Sequence, residues 1–254
     1  GGPTATPGVP TATPSRTVPA PTATLPPPRT PTPSFTPGGP TATPCPIQFT
    51  DVPPTDPFYT YIRCLACRGY ISGYSDGTYR GGNTVTRGQV AKIVANSGGL
   101  SDPIPAVRQT FHDVPYGDPF WVFIERLSSI GAINGYTCGG PGEPCDGGNR
   151  PYFRTYNNVT RSQLAKIVAI TAGYNETPTG QTFTDVAPGH PFYRWVEQVA
   201  LHGVISGYTC GSPPAGACDP QQRPWFLPYN SATRSQTAKI AANTFLPNCQ
   251  TPQR

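Results

Sequence analysis

The sequence predicts a mainly α protein of three helix–loop–helix repeats, preceded by an extended polyproline-II-like segment. Three observations predict it. The motif Phe-x-Asp-Val occurs three times, at Phe49–Val52, Phe111–Val114 and Phe183–Val186. Each occurrence is followed by apolar residues spaced by three and four, the period of one helix face. Each repeat then closes on Thr-Arg-x-Gln, at Thr86, Thr160 and Thr233, where threonine and the glutamine three places on form a capping box.

The N-terminal segment, residues 1–44, contains 14 prolines and 12 threonines, no acidic residue, and Phe35 as its only aromatic. Such a stretch cannot bury enough apolar surface to offset its conformational entropy. Pro-Thr-Ala-Thr recurs at Pro3, Pro10, Pro21 and Pro40, and proline fixes φ and removes amide donors, favouring polyproline II. At ~3.1 Å per residue the extended segment would reach about 135 Å. Its composition suits an O-glycosylated stalk or a disordered linker. The sequence has no methionine, as expected of a processed chain or a fragment.

The first helix of each repeat begins at a Pro-Phe-aromatic step: Pro57-Phe58-Tyr59, Pro119-Phe120-Trp121 and Pro191-Phe192-Tyr193. In the first repeat the stripe is Phe58, Tyr61, Ile62, Leu65 and Ala66, and Gly69 stands where a left-handed residue ends a helix. Gly131 and Gly203 occupy the same place in the other two. A Gly-Tyr pair follows (Gly73, Gly135, Gly207), then a loop, then the capped second helix. Two short helices cannot close a core alone, so the three units are expected to pack together. The boundaries drawn are 1–44 for the stalk and 45–100, 101–174 and 175–254 for the repeats.

Eight cysteines read as disulfides in an oxidising compartment. Cys138 with Cys145 and Cys210 with Cys218 close insertions in the loops of repeats two and three. Cys64 and Cys67, one helical turn apart, are expected to reach Cys45 and Cys249 in a pairing the spacing leaves open. No metal or other cofactor is expected. Cys64-x-x-Cys67 has no second matching pair, and His112, His190 and His202 lack ligand spacing. Asp76-Gly77 reads as a turn, since calcium would need more oxygen ligands. No Ser-His-Asp or Cys-His set or phosphate loop is visible, so catalysis is not expected. The net charge of +5 is scattered, without the basic stripe of a nucleic-acid binder. No apolar run approaches the ~18 residues of a membrane span. Asn158 and Asn175 fit the N-x-Thr glycosylation pattern.

Phe-x-Asp-Val, an aromatic-bearing helix ending in Gly-x-Ile-x-Gly-Tyr, and Thr-Arg-x-Gln-x-Ala at the second helix together resemble the surface-layer-homology (SLH) domain. The resemblance covers residues 47–246 as three tandem copies. It implies a pseudo-threefold bundle with grooves between repeats. It also implies binding to cell-wall polysaccharide, typically bearing pyruvyl ketals, that retains an extracellular protein on its bacterium. In the family the arginine of this motif meets the acidic sugar, which maps onto Arg87, Arg161 and Arg234. The motif aspartate lies near the same groove, mapping onto Asp51, Asp113 and Asp185. Two departures stand out: glutamine replaces the family's usual glutamate in all three copies, and the usual early tryptophan is displaced into the Pro-Phe-aromatic step.

The physics of these residues leaves two readings open. Arginine at the first helical position stands at the positive end of the dipole, misplaced by about 0.3–1 kcal/mol. A guanidinium fork beside exposed helix N–H groups suits an anion. Alternatively it clamps repeats through an ion pair with an aspartate of its own or a neighbouring repeat. Tyr59, Trp121 and Tyr193 are candidates for stacking on sugar rings or for ordinary packing. The three aspartates are candidates for ligand contact or for turn capping. The expected function is therefore attachment at the cell surface. The alternative is a self-assembling subunit of a surface layer or filament, with neighbouring subunits ordering the proline-rich N-terminus.

Overall fold

The computed structural model describes residues 45–250, and the expected polyproline-II stalk lies outside them. Six α-helices occur among the described residues: α1 (Tyr59–Cys67), α2 (Arg87–Ser97), α3 (Trp121–Ser129), α4 (Arg161–Thr171), α5 (Tyr193–Leu201) and α6 (Arg234–Phe245). A short 3₁₀ helix, Pro247–Gln250, follows. The described residues form isolated β-bridges but no strand, and no helix among them is long and apolar enough to cross a membrane.

Both helix ends form as the residue types dictate. Thr86, Thr160 and Thr233 accept from the amide three residues on, and the glutamine there reaches back to the threonine amide. The first helices lack that device. There an aspartate two residues before the first turn receives the phenylalanine amide, Asp56 to Phe58 and Asp118 to Phe120, both at 2.7 Å. His190 does the same for Phe192 through Nδ1 at 3.1 Å. At the other end Gly69 takes φ +71°, and the next amide, of Tyr70, folds back onto the carbonyl of Leu65 at 3.0 Å.

Helix pairing runs between repeats. α2 packs on α3, α4 on α5, and α6 returns to α1, while α2, α4 and α6 meet one another. At their meeting point Val85, Val159 and Ala232, all fully buried, form a closed hydrogen-bond ring. Val85 N–H donates to Ala232 O (3.0 Å), Ala232 to Val159 (2.8 Å) and Val159 to Val85 (3.1 Å). Small residues let the helices approach this ring: Ala91 and Ala95, Ala165 and Ala169, Ala238, Ala241 and Ala242 are buried.

The recurrent Phe and Gly-Tyr motifs prove to be one contact. A Cβ on Gly73 would stand 2.4 Å from the Phe49 ring, and one on Gly207 2.6 Å from the Phe183 ring. The phenylalanines in turn pack on Tyr79, Phe153 and Phe226 at 5.2–5.3 Å between ring centres. The disulfides are Cys138–Cys145, Cys210–Cys218, Cys45–Cys67 and Cys64–Cys249. The last two tie both ends of the described chain to α1, resolving the pairing that spacing left open.

Candidate functional site

The three motif arginines reach into the next repeat. Arg87 Nε donates to Phe153 O at 2.6 Å and its Nη2 to Asn134 O at 3.0 Å. Arg161 Nε donates to Phe226 O at 2.7 Å. Arg234 closes the circuit, Nε to Tyr79 O at 2.9 Å and Nη2 to Ser72 O at 2.8 Å. Each guanidinium lies over aromatic rings of that neighbour, Arg87 at 4.3 Å from the centre of Phe153 and Arg234 at 4.4 Å from Tyr79. All three side chains are buried, and burial pulls the guanidinium pKa of Arg87 and of Arg161 below the ordinary value.

Two expectations about these arginines are corrected. Among the described residues they form no ion pair with an aspartate; backbone carbonyls are their partners. Nor do they stand beside open helix N–H groups, because the neighbouring repeat occupies those groups. Arg87 N–H donates to Asn157 O (2.9 Å) and Gly88 N–H to Thr155 O (2.8 Å), with matching bonds at Arg161, Ser162, Arg234 and Ser235. The capping threonine takes the third amide. The first turn is thus saturated by protein, and the cation at its positive end is offset by carbonyl oxygens of the next repeat.

Asp51, Asp113 and Asp185 complete the clamp from the far side. Asp113 accepts from the amides of Phe153 (2.7 Å) and Arg154 (2.6 Å). Asp51 takes Tyr79 and Arg80, and Asp185 takes Phe226 and Leu227, all at 2.7 Å. The same residue therefore gives its N–H to the aspartate and its C=O to the arginine. The residue after it takes positive φ: 56° at Arg80, 60° at Arg154 and at Leu227. For Asp51 burial pushes the carboxyl up, but the Tyr79 and Arg80 amides outweigh it and hold it below its ordinary value.

Among the described residues, two of the clefts border the buried arginines. One, of about 140 Å³, is lined by Arg87, Tyr136, Gln163, Lys166 and Phe192 among others. The second, of about 430 Å³, brings together Arg161, Tyr208, Gln236, Lys239, Phe58 and Tyr61. Each combines residues of all three repeats in the same register, and Arg234, Tyr74, Gln89 and Lys92 hold the corresponding sequence positions at the third junction. Here two of the cap glutamines make a second contact. Gln236 accepts the cap amide of Thr233 through Oε1 at 3.2 Å and donates from Nε2 to the Tyr208 hydroxyl at 2.6 Å. Gln163 does likewise with Thr160 and Tyr136, at 3.0 and 3.4 Å. A carboxylate could hold the same two partners only as an acceptor, with the tyrosine hydroxyl turned to donate.

The lysines lining the clefts are half-buried, each beside an aromatic ring. Lys166 Nζ lies 4.9 Å from the Trp195 ring centre and Lys239 Nζ 5.8 Å from that of Tyr61. Burial lowers the Lys166 pKa. Sequence reasoning passed over these lysines, although Thr-Arg-x-Gln-x-Ala-Lys is repeated in full three times. Tyr59, Trp121 and Tyr193 line neither cleft. Trp121 is buried, its Nε1 donating to Arg108 O at 2.9 Å, and Tyr193 O–H donates to Gly180 O. The disulfide loop of repeat two is coupled to the first cleft. Its Glu143 takes both Nε and Nη2 of Arg154, at 2.7 and 2.8 Å, and Arg154 stacks on Tyr136 at 4.1 Å.

Residues 48–91 match the S-layer homology domain. This segment runs from the Phe-x-Asp-Val motif through α1 and into α2, and it includes Asp51 and Arg87. Over 188 residues, 68% of the chain, the protein is 27% identical to "Cell surface glycoprotein 1" of Acetivibrio thermocellus. The matched region spans 7% of that relative's length.

Proposed function

We propose that this is a non-catalytic protein that attaches to acidic wall polysaccharide through the clefts between its repeats. The S-layer homology segment and the cell-surface relative support a bacterial cell-surface location, and such domains in general bind cell-wall polysaccharide. We further read 45–100, 101–174 and 175–254 as three copies of the domain, because each carries the capping box, the aspartate and the arginine in equivalent contacts. The observation that carries the binding reading is the repeated set of arginine, tyrosine hydroxyl, cap glutamine and lysine around an aromatic-walled cleft. It offers hydrogen-bond donors and positive charge to a carboxylate-bearing sugar, and ring faces to its apolar side.

Substitution of the lysines tests this reading, because the arginines are inter-repeat clamps whose loss would confound binding with folding. In pull-downs with purified wall polymer, Lys166→Ala with Lys239→Ala should lower retention at least about tenfold, equivalent to ~1.4 kcal/mol, at unchanged melting temperature. Polymer stripped of its acidic substituents should behave like the double variant. Undiminished retention by the folded double variant would refute the clefts as the binding sites.

A further inference from the structure

Repeats two and three each bury a glutamate on the first helix. Glu125 is fully buried; its carboxylate takes the Thr110 amide (2.7 Å), the Thr110 hydroxyl (2.6 Å) and Nε of Arg108 (2.9 Å). Glu197, 5% exposed, is held in the same way by Thr182, amide at 2.9 Å and hydroxyl at 2.5 Å. Gln109 and Gln181 fix the preceding turn identically, each donating to the carbonyls of its next Phe and of the residue after. One position earlier, however, Arg108 is matched by Gly180. The counter-ion of the third repeat is missing from that position.

Among the described residues nothing nearby replaces it, and no ion pair reaches Glu197. Arg194 directs Nη2 to Asn175 O at 3.2 Å, and His202 bonds Glu176 at 2.8 Å. Where repeat two has the Arg108 side chain, repeat three has a cleft of about 330 Å³ lined by Glu176, Gly180, Thr182, Glu197, Gln198 and Leu201 among others. A Cβ built on Gly180 meets no atom within 4 Å. Gln198, 1% exposed, donates Nε2 to Glu176 O at 2.8 Å but leaves Oε1 without a partner, as Glu176 leaves Oε2. A buried carboxylate without a counter-charge and two unpaired acceptors are costly to desolvate.

We propose that this cleft receives the guanidinium of an arginine side chain, taking the place Arg108 fills in repeat two. A planar fork of five donors matches several separated acceptors, as a single ammonium does not. The mouth suits the arginine stem, since Leu201 is 70% exposed there. A hard cation such as calcium would need six or more oxygens around one point, whereas the glutamate's oxygens already hold Thr182.

The test titrates the full chain with N-acetyl-arginine amide, N-acetyl-lysine amide and calcium, following the Thr182 backbone amide and the Gln198 side-chain amide by NMR. The arginine probe should saturate with a Kd on the order of 1–10 mM, and the lysine probe should bind at least about fivefold more weakly. Gly180→Arg should raise the melting temperature by about 2–4 °C and abolish probe binding, while Gly180→Ala keeps it. Glu197→Gln should lose binding as well. Absence of a saturable response to arginine, an equal response to lysine or calcium, or a Gly180→Arg protein no more stable than the parent would each overturn the proposal.

Discussion

At the scale of single residues, the arginines show how a locally unfavourable choice is made favourable by a neighbour. Truncating Arg161 to alanine leaves the Phe226 carbonyl buried without its donor, at about 1–3 kcal/mol, and removes a cation from two ring faces, at about 0.5–2 kcal/mol more. Arg161→Ala should therefore lose roughly 2–4 kcal/mol in urea denaturation. Arg161→Lys should recover only part of that loss, since an ammonium lacks the planar fork. A midpoint unchanged in the alanine variant would mean that the bond to Phe226 O carries no weight. The aspartates on the other side of the clamp give an acid dependence. Asp51 has a folded pKa below its ordinary 3.8, so its contribution is fully present above the unfolded value and is lost as pH falls through the folded one. Melting temperature should be flat in this respect above about pH 5 and fall below about pH 4. In Asp51→Asn part of that fall should be gone, because the variant is already without the carboxylate at pH 7. An acid profile identical to the parent's would remove Asp51 from the clamp.

At the scale of helices and turns, the two glycines that follow α3 do different jobs, and alanine distinguishes them. Gly131 has φ +71° and open space where a Cβ would stand, so Gly131→Ala should cost only the backbone strain, about 1–2 kcal/mol. Gly135 shows no positive φ, but its Cβ would stand 2.7 Å from Pro151, 2.8 Å from the Tyr152 carbonyl and 2.9 Å from Phe111. Gly135→Ala should cost about 1–3 kcal/mol by overpacking and also perturb the Phe111 ring signals, which Gly131→Ala should leave in place. Identical spectra for the two variants would contradict the close approach. These elements also show what the sequence could and could not reveal. Helices, capping boxes and glycine stops are local, fixed by residues three to six positions apart, and Thr160, Gln163 and Gly131 announce them directly. The clamp is not local. Arg87 and the carbonyl it binds are 66 positions apart, and a carbonyl has no residue identity to read. The sequence therefore points the arginine to an acidic ligand or to an aspartate, whereas the aspartates hold the same residue by its amide. The clefts were hidden for a similar reason, since Phe192 reaches the Arg87 cleft from the third repeat.

At the scale of the whole molecule, stability rests on closing a ring from a linear chain. α6 must return to α1, and Cys64–Cys249 links them across 185 positions, whereas Cys138–Cys145 spans 7. In the chain-entropy model the first bridge stabilises by about 5 kcal/mol and the second by about 2–3. Replacing Cys64 and Cys249 by serine should therefore lower stability about twice as much as the same change at Cys138 and Cys145. The central ring of Val85, Val159 and Ala232 makes a sharper statement. Each amide is bonded to a different repeat, so none can be exposed by detaching one repeat without breaking two of the three bonds. Their hydrogen exchange should proceed only through global unfolding, with opening free energies equal to one another and to the denaturant value within about 1 kcal/mol. The Gly139 amide, in the disulfide loop, should exchange through local opening at much lower free energy. In the Cys64/Cys249 variant all three ring amides should weaken together, although the lost bridge touches only α1 and the C-terminal 3₁₀ helix. Weakening confined to Val85 would show that the first repeat opens alone, and the ring would then be three separate contacts instead of one cooperative unit.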